Sequence, residues 1–423
     1  MELLHLLAFQ AAMLRMPLYL VGGVVRDILL GRAVNDFDLV VEGSSAEFAE
    51  YIVRKFGGKI LIHSKFMTAT WAVNETTFKR LNVPAHQLPE TSLSFDLVSA
   101  RSETYTQPGA LPTVKRSSID DDLRRRDFTI NAMAFRLDGD YFGELFDPLN
   151  GQTDLENKLI RVLHDQSFVD DPTRIFRAVR YAARYGFEIA PETVKLINKD
   201  SLGVLDQLSG ERLRHEFDLI FEESHSIAMV ADLEVFGVLR AIHPDLQFSN
   251  YKPTLDFQLS DALSDFVIPD ILSFHQTLAW VIWLISLPVA SIETIAQRLA
   301  FPSALTTSAV AASKIYLTPY PPGSKVSQKT FYLDAFPPLA VYAAWIMAND
   351  KNAQQILSDY LLDWRNVKPY TTGYTLQQRG LEPGPKFKEI LTRLRAAWLD
   401  GEVETEEEEK VKLDNLLKEE GLL

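Results

Sequence analysis

The chain has 423 residues and no cysteine, with 47% apolar and 24% charged residues. That length exceeds one ordinary compact core and predicts two to four domains; the missing thiols exclude disulfide staples and zinc–thiolate sites. The net charge of −14, from 43 Lys and Arg against 57 Asp and Glu, argues on its face against a nucleic-acid partner. Its placement reverses that reading. Acidic residues crowd the C-terminal end, at Glu402, Glu404, Glu406 to Glu409, Asp414, Glu419 and Glu420, whereas arginines gather between Arg101 and Arg214. A local basic stripe on an acidic protein still binds phosphate.

The opening Met1-Glu2-Leu3-Leu4-His5 has no basic n-region and no small-residue cleavage site, so no export signal is expected. Residues 18–21 read as a short apolar strand ending at Gly22-Gly23, and 37–41 and 95–98 as further strands. Residues 128–135 fit either strand or helix. From about residue 165 the pattern is almost wholly helical, with 3.6-residue apolar spacing over 168–185, 211–222 and 227–239. The apolar run Leu278 to Ile285 is cut off by Ser286 and Pro288, too short to span a bilayer, and reads as a buried helix. Pro-rich turns at 319–322 and 336–338 divide the later helices, and a last helical unit follows Pro383-Gly384-Pro385. The acidic end is expected to be a helix with a solvated face rather than a frayed tail.

Three stretches carry chemistry. Gly22-Gly23 after a strand, opening a helix, lets backbone N–H groups and a helix dipole approach phosphate. Asp36 and Asp38, two apart on a strand, share a face and suit magnesium, a hard cation that takes carboxylates together with substrate phosphates. In Arg124-Arg125-Arg126-Asp127 the guanidinium groups can grip phosphate oxygens, and adjacent side chains point apart, so Arg125 and Arg126 are expected to serve different partners. Asp171, before the helical run from Pro172, reads locally as a helix cap.

Gly22-Gly23-Val24-Val25-Arg26-Asp27 followed by Asp36-Phe37-Asp38, with Arg125-Arg126-Asp127-Phe128-Thr129-Ile130-Asn131 and Asp170-Asp171-Pro172-Thr173-Arg174, resembles the bacterial (class II) tRNA nucleotidyltransferase and poly(A) polymerase family. The resemblance implies an α+β chain: a polymerase-β-like nucleotidyltransferase head at 1–150, then a helical neck at 151–231, a helical RNA-binding body at 232–365 and a helical tRNA-binding tail at 366–423. It implies Asp36 and Asp38 as catalytic metal ligands for Mg2+, and Gly22, Gly23, Arg26, Arg125, Arg126, Asp127 and Asn131 around the triphosphate and ribose, Asp127 being placed to read the 2′-hydroxyl. It also makes Asp171 and Arg174 a protein template. Cytosine and adenine both present an amino donor beside a ring-nitrogen acceptor, which suits a carboxylate beside an arginine; uracil and guanine present the reverse order.

The family pattern at the template is Glu-Asp-x-x-Arg, and Asp170 here replaces the Glu. Supporting roles fall to Asp96, a possible third carboxylate or a loop-positioning residue, to Arg177 and Arg180 on the template helix, and to Glu211 and Arg212, expected to brace it. Residues 101–112 resemble the irregular flexible loop that members use to add the terminal A. The implied activity is addition of CCA, or its terminal A, to tRNA 3′ ends from CTP and ATP in the cytoplasm, with no membrane and no obligatory protein partner. The rivals are an A-adding specialist, a poly(A) polymerase, or an RNA-binding protein that has lost catalysis.

Overall fold

The structure is a computed structural model and describes residues 2–34, 37–80, 94–104, 108–109, 113–250, 271–318 and 325–419. Asp36 and the Pro-rich turn at 319–322 therefore lie outside the described residues. The chain divides into two compact units, one of residues 1–208 with 231–242, the other of 209–230 with 243–423. Among the described residues no helix is long and apolar enough to cross a membrane.

The first unit is built on a mixed sheet of seven strands: β1 (Leu18–Val21), β2 (Phe37–Val41), β3 (Lys59–His63), β4 (Thr68–Ala72), β5 (Ser94–Ser99), β8 (Ala134–Arg136) and β9 (Leu145–Phe146), ordered β3-β4-β5-β2-β1-β8-β9. A separate ribbon, β6 (Arg101–Thr104) with β7 (Thr113–Arg116), projects between β5 and β8 in the chain. Thus the segment expected to be an irregular loop has a paired β base. Alternating Arg-Ser-Glu-Thr and Thr-Val-Lys-Arg satisfy the ladder without an apolar face, which is why periodicity did not announce them.

Alternation explains the sheet's two faces. Phe95 and Trp71 are buried and stack at 5.7 Å, with Phe37 also 5.7 Å from Phe95. Asp38, Asp96 and Thr70, one residue along on the same three strands, lie on the other face. Residues 128–135 are neither one strand nor one helix: a tight turn at Thr129–Asn131 precedes β8. The helical run expected at 168–185 breaks into Ser167–Asp170 and Thr173–Tyr185 at Asp171, whose backbone is extended because Pro172 follows it. That expected at 227–239 breaks at Gly237, φ 75°, into Ser226–Val235 and Val238–Ile242. A short parallel pair, β10 (Leu159–Ile160) with β11 (Glu188–Ile189), interrupts the helical region.

In the second unit, helix Ile271–Leu284 buries Trp280 and Trp283 against Phe217, with centroids 5.3 and 5.5 Å apart, as the apolar run predicts. The acidic end forms helix Glu406–Glu419, and it is more than a solvated face. Leu413, Leu416 and Leu417 pack with Leu376, Ile390 and Leu394. Glu409 is buried beside them and accepts N–H groups from Tyr370 (2.9 Å) and Thr371 (2.6 Å) and from the Trp398 indole.

Burial alone would raise the Glu409 pKa, but the hydrogen bonds from Thr371, Trp398 and Tyr370 outweigh it and hold the carboxyl below the ordinary glutamate range. A depressed folded-state pKa contributes stability that is present at neutral pH. It is lost as pH falls from the unfolded value through the folded one. Wild-type thermal stability should therefore drop on acidification through this window, and Glu409→Gln should be less stable at pH 7 with a flatter acid limb. Superimposable melting-temperature profiles for the two proteins would rule the role out.

Candidate active site

The sheet order brings one end of four strands together. β1 runs antiparallel to β2 and β8, so Val21 lies opposite Ala134 and Leu20 opposite Leu39. β5 runs parallel to β2 with Asp38 opposite Asp96. Register partners put their side chains on the same face, so the two carboxylates stand side by side at the strand starts, one strand from the end of β1. Thr70 Oγ1, opposite Asp96 on β4, donates to Asp96 Oδ1 at 2.7 Å.

Where β1 ends, Gly22 turns the chain into helix Gly23–Leu29 with φ 75°, and its N–H donates to Met133 O at 3.0 Å. A β-carbon here would lie 2.4 Å from Arg126 Nη1. The arginine therefore covers the turn, and only glycine leaves it room. Arg126 is oriented by the buried Asp122, whose Oδ2 accepts its Nη2 at 3.0 Å, while its Nε is buried and lacks a partner among the described residues. Arg125 donates to the other oxygen of Asp122 at 2.7 and 3.0 Å and to Glu103 on β6 at 2.9 Å.

Thus Arg125 and Arg126 share one carboxylate, because Asp122 lies three and four residues before them in the helical turn, and Arg125 alone also reaches Glu103. That spacing was visible in the sequence. Glu103, on a polar ribbon 22 residues away, was not. Arg101 completes the cluster, 3.5 Å from Glu103. Its pKa is lowered first by burial and then by the charge of Arg125. Three guanidinium groups around two carboxylates leave a net positive pocket wall suited to an anion.

Arg26 is buried inside helix Gly23–Leu29. Its Nη1 donates to Asn131 Oδ1 (2.6 Å), and its Nε and Nη2 to the Asp27 carboxylate (2.9 and 3.0 Å). It also lies over the Tyr185 and Tyr181 rings at 4.5 and 5.4 Å. Burial opposes its charge, but the Asp27 hydrogen bond and the tyrosines outweigh that and raise its pKa. Asn131 Nδ2 in turn donates to Asp127 Oδ1 at 3.0 Å. Gly151 sits against this turn, where a β-carbon would meet Thr129 O at 2.2 Å, and Asp154 accepts the Thr129 hydroxyl at 2.7 Å.

At the template segment, Asp171 Oδ1 accepts the N–H (3.1 Å) and hydroxyl (2.7 Å) of Thr173, the first residue of the helix, whose N-cap position is Pro172. Arg174 is buried. Its Nη2 donates to Arg125 O at 3.1 Å, and its Nη1 is buried with no hydrogen-bond partner among the described residues. Such an orphan donor costs about 1–3 kcal/mol unless a ligand satisfies it. Gly109 N–H, from the segment between β6 and β7, donates to Asp170 O at 3.1 Å. Arg177 reaches Asp127, and Arg180 lies half-buried further along the helix. Glu211 and Arg212 fall in the second unit, in the first turn of helix Gly210–Phe221, where the capping Ser209 accepts the Arg212 N–H.

A carboxylate pair beside a Gly-Gly turn, under an arginine, on a mixed sheet followed by helices defines a head of the nucleotidyltransferase class. Residues 18–161 match the poly A polymerase head domain, and residues 186–249 match a probable RNA and SrmB-binding site of polymerase A. An A-adding tRNA nucleotidyltransferase of Halalkalibacterium halodurans is 35% identical over 96% of this chain and 90% of its own length. A CCA-adding enzyme in an apo form superposes with TM-score 0.78 and 31% identity over 99% of this chain and 95% of its own. The Thermotoga maritima CCA-adding enzyme complexed with tRNA gives TM-score 0.72 and 30% identity over 98% and 95%. The chain belongs to the tRNA nucleotidyltransferase and poly(A) polymerase family.

Proposed function

We propose that this chain adds CCA to tRNA 3′ ends from CTP and ATP. The observation that carries the reading is the pairing, in one register, of Asp38 with Asp96 beside the arginine-covered Gly22 turn. In the reaction the RNA 3′-oxygen forms a bond to the α-phosphorus of the nucleotide. The α–β bridging bond breaks, the hydroxyl proton is lost, and pyrophosphate leaves.

The Gly22 turn, through the Gly23 N–H, and Arg126 hold the phosphates, while Arg125, Asp127 and Asn131 shape the ribose side. Arg26, already paired with Asp27 and Asn131, stiffens the phosphate turn. Adjacent hard-oxygen carboxylates and a phosphate-binding wall fit Mg2+, held by Asp36 and Asp38 with Asp96 beside them. When bound it supplies charge neutralisation at the phosphates and a lowered hydroxyl pKa. Among the described residues no three metal-ligating side chains converge, and Asp36 lies outside them.

Asp171 and Arg174 read the base, a role favoured by the orphan Arg174 Nη1. We further propose the division into head (1–150), neck (151–231), body (232–365) and tail (366–423), the last two holding tRNA. A tRNA substrate with CTP and ATP supports a cytoplasmic place of work. A second reading, addition of the terminal A alone, is compatible with the activity for which the H. halodurans relative is named.

The base-reading role has a test that separates it from capping. Asp171→Asn keeps the acceptor used by Thr173 and turns the other oxygen into a donor. Asn caps about as well as Asp, so the melting temperature should hold. Preference for CTP and ATP over UTP and GTP should fall by about ten- to a hundredfold, from about 1–3 kcal/mol per mismatched bond. Single-nucleotide incorporation from each triphosphate measures this, and unchanged selectivity would reduce Asp171 to a cap.

A further inference from the structure

Asp127 is buried and saturated. Its Oδ1 accepts from Phe128 N–H (2.9 Å) and Asn131 Nδ2 (3.0 Å), and its Oδ2 from Nε (2.8 Å) and Nη2 of Arg177. Each carboxylate oxygen offers two acceptor positions, so Asp127, expected to read the ribose 2′-hydroxyl, has all four taken by protein partners. Burial works against its charge, yet the Arg177 charge and these hydrogen bonds hold its pKa below the ordinary range.

Arg177 lies three residues beyond Arg174 on helix Thr173–Tyr185, hence on a neighbouring part of the same face. From Asp127 the chain of bonds runs through Asn131 to Arg26 at 2.6 Å, inside the helix that opens at the Gly-Gly turn. An unbroken polar path therefore joins the helix that carries Arg174 to the turn that faces the phosphates.

We propose that Arg177 is a positioning residue for nucleotide selection. Through Asp127 and Asn131 it fixes the distance between Arg174, at the base, and Arg26 with the Gly22 turn, at the phosphates. This rests on the proposed function. One nucleotide must touch both ends at once, so the span between them decides whether the base edge meets Arg174 in register. A two-pronged guanidinium–carboxylate contact is a stiff strut for that span, and an ammonium supplies only a point contact.

The helix does not depend on Arg177 for its place. Ile175, Phe176, Ala178 and Val179 are fully buried, whereas the Arg177 side chain is 40% exposed. Its loss alone leaves a buried carboxylate without its counter-charge, so a paired variant is needed.

The test uses the full chain with magnesium and compares wild type, Arg177→Met, Arg177→Lys and the double variant Asp127→Asn with Arg177→Met. Each is titrated at equilibrium with ATP, CTP, GTP and UTP, followed by single-nucleotide incorporation on tRNA and by thermal unfolding. Arg177→Met should lower the preference for ATP and CTP by about ten- to a hundredfold, with Arg177→Lys recovering part of it. The double variant should melt near wild type and show the same loss of preference. A folded double variant that binds the four triphosphates with wild-type preference overturns the proposal. A wild-type chain that binds ATP and CTP selectively yet incorporates neither sinks the functional reading instead, and the titrations still decide the role of Arg177.

Discussion

Asp38→Ala is expected to lower nucleotide addition at least about a thousandfold, equivalent to about 4 kcal/mol of transition-state stabilisation, while tRNA affinity stays near wild type. Asp38 is only half-buried at the start of β2, and the strand is held by its neighbours Leu39, Val40 and Val41, which are fully buried between β1 and β5. Removing the carboxylate therefore costs little fold stability. It takes away half of the carboxylate pair proposed to hold the metal, and leaves Asp96 alone on the next strand with one oxygen accepting from Thr70. Gel-resolved extension of tRNA with magnesium reads the loss, and filter binding reads the retained affinity. Extension within tenfold of wild type would remove Asp38 from the reaction.

Gly22→Ala should be almost as damaging, by a different route. At φ 75° and ψ −129° a side chain costs about 1–3 kcal/mol in backbone strain. The added carbon would also sit too close to Arg126 Nη1, the far end of a flexible side chain, so the guanidinium must shift from its place over the turn. That shift strains its 3.0 Å ion pair to buried Asp122 and moves it from the position proposed to meet the phosphates. The expected result is a loss of a hundredfold or more in kcat/KM with a lowered melting temperature, by analogy with losing one preorganised donor at a developing charge. Ser at the same position should do no better, since the clash is with the β-carbon. A Gly22→Ala protein with wild-type KM for ATP would show that Arg126 does not serve the phosphates across this turn.

Much of this site was legible before any coordinates. The Gly22-Gly23 turn, Asp38 and the arginine run declare themselves through local spacing, and the strands carrying them through short apolar runs with alternation. Register across 58 residues was not legible, so the standing of Asp96 beside Asp38 had to come from the sheet. The Arg177–Asp127 contact spans 50 residues between segments whose own patterns do not mention each other. Asp171 ends the first helix and accepts the Thr173 N–H beside Pro172, and the extended backbone that Pro172 imposes there splits a helix that periodicity runs together. Composition likewise described Glu409 as one of a solvated run. Its burial follows from helical phase, which places it four residues before Leu413 on the face that packs against Leu376 and Ile390.

Transfer of nucleotides to RNA at this sheet end can be measured directly. The direct measurement supplies the full-length protein, magnesium, CTP and ATP to one tRNA ending at the discriminator base and another ending in CC. Addition of three nucleotides to the first and of a single A to the second is the predicted result, with UTP and GTP excluded from both. Extension of the CC-ended tRNA alone would narrow the activity to the terminal A. No extension of either, with protein that melts cooperatively and binds tRNA, would contradict the account.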